Sequence, residues 1–106
     1  MPVTDLPPFP QTRAFGDLWS EIGLALRDMS GRQFIDHCVA LRAQWRRLAP
    51  HLSADLGYPT KKLAVYERAK VRELSAADIG SEEIAALLRW FDDAILTVRM
   101  RLNRAD

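Results

Sequence analysis

From Ile84 the apolar residues recur as Ile84, Leu88, Phe91, Ile95, Val98 and Leu102, in steps of 4-3-4-3-4. A strand puts every second residue on one face, so no strand can gather this set. An α-helix presents it as one continuous stripe. The segment Phe34–Leu52 repeats the pattern through Cys38, Leu41, Trp45 and Leu48. Two long amphipathic helices in a chain this short predict an all-α fold, a four-helix antiparallel bundle or three long helices with one short.

A chain of 106 residues is one domain, and folding takes roughly two-thirds of its surface out of water. That serves one core, without a deep, walled substrate cavity as well. Fifteen basic against fourteen acidic residues leave +1, so no global field argues for nucleic acid or an anionic membrane. A single cysteine, Cys38, excludes an intrachain disulfide framework and a thiolate zinc cluster, and fits a reducing, cytoplasmic setting. No run of apolar residues is long enough to span a membrane. The opening MPVTDLPPFPQTR lacks the basic and apolar regions of a signal peptide.

Residues 1–13 carry Pro2, Pro7, Pro8 and Pro10. Proline fixes φ and removes a donor, so this segment reads as an extended arm preceding a helical domain over 14–106. It is either a frayed terminus or an arm whose Leu6 and Phe9 dock onto the bundle or a partner. A first helix is expected over about Ala14–Met29, with Phe15, Leu18, Ile22, Leu26 and Met29 on one face and Asp17, Glu21 and Asp28 as an acidic line. Ser30 with Gln33 fits a capping box and opens the second helix, which Pro50 stops or kinks. A third helix is expected from about Pro59 to Leu74. Leu63, Val71 and Leu74 share an arc there, but Glu67 interrupts it. The fourth starts near Gly80 or Ser81, with Glu82 and Glu83 at its positive end and Arg99, Arg101 and Arg104 at its negative end.

No constellation organises bond-making. His37 and Cys38 are adjacent, so on a helix they diverge by about 100°. His51 lies too far along the chain from His37 for a local metal pair, and no metal or cofactor is expected. The doublets Glu82–Glu83 and Asp92–Asp93 diverge in the same way, unlike a facing acid/base pair. Arg89 beside Asp92 and Asp93 suggests a surface ion-pair cluster. Glycine-rich phosphate loops, G-x-S-x-G and H-E-x-x-H are absent from the sequence. Arg32 and His37 have the R-x4-H spacing, and in these two residues the chain resembles the HEPN ribonucleases. That resemblance implies a helical dimer cleaving RNA where the arginine and histidine of two subunits meet.

Basic residues gather on the second helix (Arg42, Arg46, Arg47) and the third (Lys61, Lys62, Arg68, Lys70, Arg72). Arg42, Arg46, Lys61, Arg68 and Arg72 form a candidate phosphate-contacting face. The fourth helix opens with two glutamates, which oppose docking to DNA. Trp19, Trp45 and Trp90 fall on three different helices. Helix four is apolar over more than half its circumference, more than one core contact consumes. Leu87, Trp90, Phe91, Ala94, Val98 and Met100 are therefore the candidate partner or dimer interface. The sequence thus reads as a small non-enzymatic helical protein, a homodimer that binds another protein. Nucleic-acid binding is the alternative, and the Arg32/His37 ribonuclease a third.

Overall fold

The computed structural model describes residues 6–10, 12–52 and 63–105. Among these, 84% are helical and none lies in a strand. Four α-helices follow in order: α1 Gly16–Asp28, α2 Gly31–Leu48, α3 Val65–Ala76 and α4 Ser81–Ala105. Short 3-10 turns, Arg13–Phe15 and Ala49–Leu52, precede α1 and continue α2. The fold is all-α, with two long helices, α2 and α4, and two shorter ones.

Local chemistry marks the starts of α2, α3 and α4 and the ends of α2 and α3. At Ser30 the capping box is complete: the hydroxyl accepts from the Gln33 amide at 3.3 Å, and the Gln33 side chain accepts from the Ser30 amide at 3.0 Å. Both groups would otherwise lack partners in the first turn. The α-helical ladder gives way to the 3-10 turn at Pro50, which has no N–H to donate to the Arg46 carbonyl and whose ring crowds that carbonyl. Helix α3 begins at Val65, later than its sequence predicts. Leu63 and Ala64 are not helical, and the expected start at Pro59 lies outside the described residues. The Glu67 carboxylate sets the start by accepting the Ala64 N–H at 2.9 Å.

The turn from α3 to α4 is a Schellman motif. Ile79 N–H donates to the Leu74 carbonyl at 3.0 Å and Asp78 N–H to the Ser75 carbonyl at 3.1 Å. The apolar pair that accompanies such a motif is present as Leu74 and Ile79, both buried. The left-handed position, usually glycine, is held by Asp78 at φ 57°. Glu83 then opens α4 by accepting the Gly80 N–H at 2.9 Å.

Helices α2 and α4 form the central seam and run antiparallel. Arg42 reaches Asp92, and eleven residues earlier on α2 Gly31 faces Leu102, where an added Cβ would lie 2.9 Å from Cδ2. Phe34, Cys38, Leu41, Trp45 and Leu48 of α2 meet Ile84, Leu87, Phe91, Ala94 and Val98 of α4 in a single core. Helix α1 adds Leu18, Ile22, Ala25 and Leu26, and α3 adds only Val71 and Leu74. Leu63, just before α3, completes the arc predicted for that helix.

The two caps make opposite predictions. Ser30→Ala removes a hydroxyl acceptor and is expected to lower stability by about 1 kcal/mol. Asp78→Gly relieves a left-handed residue and is expected to raise it by up to about 1 kcal/mol. Urea denaturation of the two variants checks both signs.

Candidate functional site

Residues 6–10 of the proline-rich arm pack onto the bundle. Leu6 and Phe9 are buried, which selects the docking alternative for these residues. Phe9 lies between two tryptophans. It stacks on Trp19 with ring centroids 4.8 Å apart and an interplanar angle of 28°. It meets Trp90 edge-on at 5.0 Å and 82°. The Trp90 indole N–H donates to the Pro7 carbonyl at 2.8 Å. Phe15 then links Phe9, at 6.5 Å, to Trp45, at 5.4 Å. The three tryptophans, separated on three helices, therefore join one aromatic cluster with Phe9 at its hub. Such pairs contribute about 0.5–1.5 kcal/mol each beyond the area they bury.

The arm accounts for the wide apolar arc of α4. Trp90 and Ile95, at its two edges, are about 140° apart at about 100° per residue. Helix α2 lies on the Ile95 side, where Arg42 meets Asp92 and Gly31 faces Leu102, and Phe9 of the arm with Trp19 of α1 covers the Trp90 side. Of the residues singled out as an interface, Leu87, Trp90, Phe91, Ala94 and Val98 all lie in the core of the single chain. Trp90 is only 3% exposed. Met100 alone remains on the surface, at 47%, four residues after Leu96, at 57%.

A cleft of about 260 Å³ opens between α1, α2 and α3. Leu18, Leu41, Trp45 and Leu48 form its apolar wall, and α3 supplies Tyr66, Glu67 and Lys70. Glu67, the residue that broke the apolar pattern of α3, accepts from Arg47 Nε at 2.8 Å while capping the helix. Lys70 Nζ stands 5.6 Å from the centre of the Trp45 ring, within cation–π range. These polar contacts add to the apolar anchors of α3, Val71 and Leu74. The cleft lies below the usual range for small-molecule sites, about 300–1,000 Å³. Beside it Val65 and Tyr66 are 72% and 74% exposed.

The candidate catalytic groups stay apart within one chain. Arg32 and His37 are about 140° apart around α2. His37 Nε2 instead faces Glu21 Oε1 at 3.5 Å. No group of three or more His, Cys, Asp or Glu side chains among the described residues could hold a metal ion. The basic face is partly consumed. Arg42 turns toward α4 and pairs with Asp92 through Nε at 2.7 Å and Nη2 at 3.2 Å. This inter-helix fork, not Arg89, is what Asp92 engages. Arg46, Arg68 and Arg72 are exposed, and Lys61 lies outside the described residues.

Cys38 is fully buried in the α2–α4 seam. Burial penalises the thiolate and pushes its pKa from 9.0 up to about 12. The thiol is thus a core hydrophobe rather than a nucleophile. No helix among the described residues is long and apolar enough to cross a membrane. No family model, curated protein or solved structure matches the chain.

The buried thiol has a measurable signature. Cys38 keeps its proton in the folded chain between pH 9.0 and about 12, whereas the unfolded chain loses it. Stability contributed by the neutral thiol is intact below pH 9.0 and falls above it, by about 1.4 kcal/mol per pH unit. Denaturation across this range should show that decline, and Cys38→Ala should flatten it. Native-state labelling by a thiol reagent should be slow.

Proposed function

We propose that the chain is a non-enzymatic helical protein that acts in the cytoplasm, as a homodimer, by binding another protein. One observation carries the binding reading: Val65 and Tyr66 stand exposed on α3 beside an apolar-walled cleft. Tyrosine is favoured at the centres of protein interfaces, where a large rigid ring loses little entropy on burial. The cleft offers an apolar wall to side chains of a partner. Glu21, Gln44, Glu67 and Lys70 around it supply polar groups of both signs. Mixed charges of this kind set register and exclude wrong partners.

The homodimer reading rests on what the arm leaves uncovered. Leu96 and Met100 on α4 and Val39 on α2 are exposed. The cytoplasmic reading rests on the lone free thiol, Cys38, which has no cysteine to pair with in this chain.

The test compares affinity capture by the full chain and by a Val65→Glu/Tyr66→Glu variant, using lysate of the native host. Both side chains are exposed, so circular dichroism should be unchanged. The bound partner should fall by about tenfold or more, the loss expected of an interface anchor. RNA cleavage that disappears on His37→Ala would contradict the reading. So would tight binding to generic nucleic acid at physiological salt.

A further inference from the structure

The cleft between α1, α2 and α3 differs in charge from one rim to the other. On the α3 rim the charges are matched. Glu67 binds Arg47, and Lys70 lies over Trp45 with Glu73 3.9 Å away. On the α1 rim carboxylates are in excess. Glu21 lines the cleft with its side chain 54% exposed and meets the His37 imidazole at 3.5 Å. Asp17, one turn earlier, is exposed and pairs with no described residue. Two carboxylates four residues apart on a helix repel each other, and a cation laid over them relieves that repulsion. Leu24 continues the strip at 52% exposure. Asp28 ends it, with Arg27 3.9 Å away. At about 100° per residue, Asp17, Glu21, Leu24 and Asp28 fall within an arc of about 60° on α1.

We propose that the cleft and this acidic strip form one docking site, and that its occupant is an amphipathic helix of the partner protein with a basic flank. The apolar stripe of that helix packs against the apolar wall of the cleft and the exposed Tyr66 ring. Its lysine or arginine side chains lie over Asp17 and Glu21. Grooves of this kind read an amphipathic helix through anchors three and four residues apart. The charged rim adds what apolar anchors lack, a choice of flank and direction. The chain as a whole carries +1, so its attraction for a basic helix is a property of this strip and not of a global field. The inference rests on the protein-binding reading and names the chemistry of the partner.

The test uses two synthetic peptides of about five helical turns. They share one leucine stripe and differ only in the polar face, lysine in one and glutamate in the other. Each is titrated into the full chain at physiological salt, and nuclear magnetic resonance locates the contact from shifts of the chain's amides. The basic peptide should bind about tenfold or more tightly than the acidic one and should shift the amides of Glu21, Gln44 and Lys70. An Asp17→Lys/Glu21→Lys variant should reverse the preference. Both side chains are exposed, so its circular dichroism should be unchanged. Asp17→Lys alone, at a residue with no partner to lose among the described residues, should narrow the preference, which keeps the test intact if the double variant loses helix. Equal affinity, a preference for the acidic peptide, shifts confined to other faces, or a preference that survives both variants overturns the inference. So does the absence of binding by either peptide at millimolar concentration. Each of these results leaves the protein-binding reading standing where Val65→Glu/Tyr66→Glu still lowers partner capture. Capture that does not fall overturns that reading, and the inference with it.

Discussion

Phe9 between Trp19 and Trp90 is the contact on which the rest of this structure depends. It is the point where the arm, α1 and α4 meet, and Phe15 extends it to Trp45 on α2. Without it the Trp90 edge of α4 would present apolar surface to water, and the indole N–H would lose the Pro7 carbonyl. Water can then take the indole N–H, so the loss falls on the apolar burial and on the aromatic pairs, about 0.5–1.5 kcal/mol each. The arm is thus a structural part of the core, not an appendage.

The architecture around this contact divides its labour. The α2–α4 seam is held by apolar burial, with the fork of Arg42 on Asp92 at its margin. Helix α3 is held differently. It buries Val71 and Leu74 and relies for the rest on Glu67, which caps its start and binds Arg47, and on Lys70 over Trp45. An element attached by few apolar contacts sits at the low-stability end of a fold, which suits a surface that engages a partner. Val65 and Tyr66 lie on that element.

Periodicity made the helices legible. The 4-3-4-3-4 stripe of Ile84 to Leu102 and the stripe of Phe34 to Leu52 became α4 and α2. Ser30 with Gln33 marked the start of α2 because a capping box is a local interaction between near neighbours. The same reasoning misplaced Arg42, since its pairing with Asp92 spans fifty residues and no local pattern encodes it. Glu67 looked like a flaw in an apolar arc for the same reason, as its partner Arg47 lies on another helix. The apolar excess of α4 was visible in Leu87, Trp90 and Phe91. What covered it was not, because a proline-rich arm has no periodicity to show which side chain turns inward. The single aromatic among its prolines, Phe9, was the available signal.

The central claim is that the arm closes over Trp90, and the indole N–H of that residue reports it directly. Hydrogen exchange at Trp90 Nε1, followed by nuclear magnetic resonance, should be strongly protected in the full chain. It should approach the rate of a free indole when Phe9→Ala loosens the arm while the amides of α2 and α4 stay protected. Exchange at the free-indole rate in the unmodified chain would contradict the account.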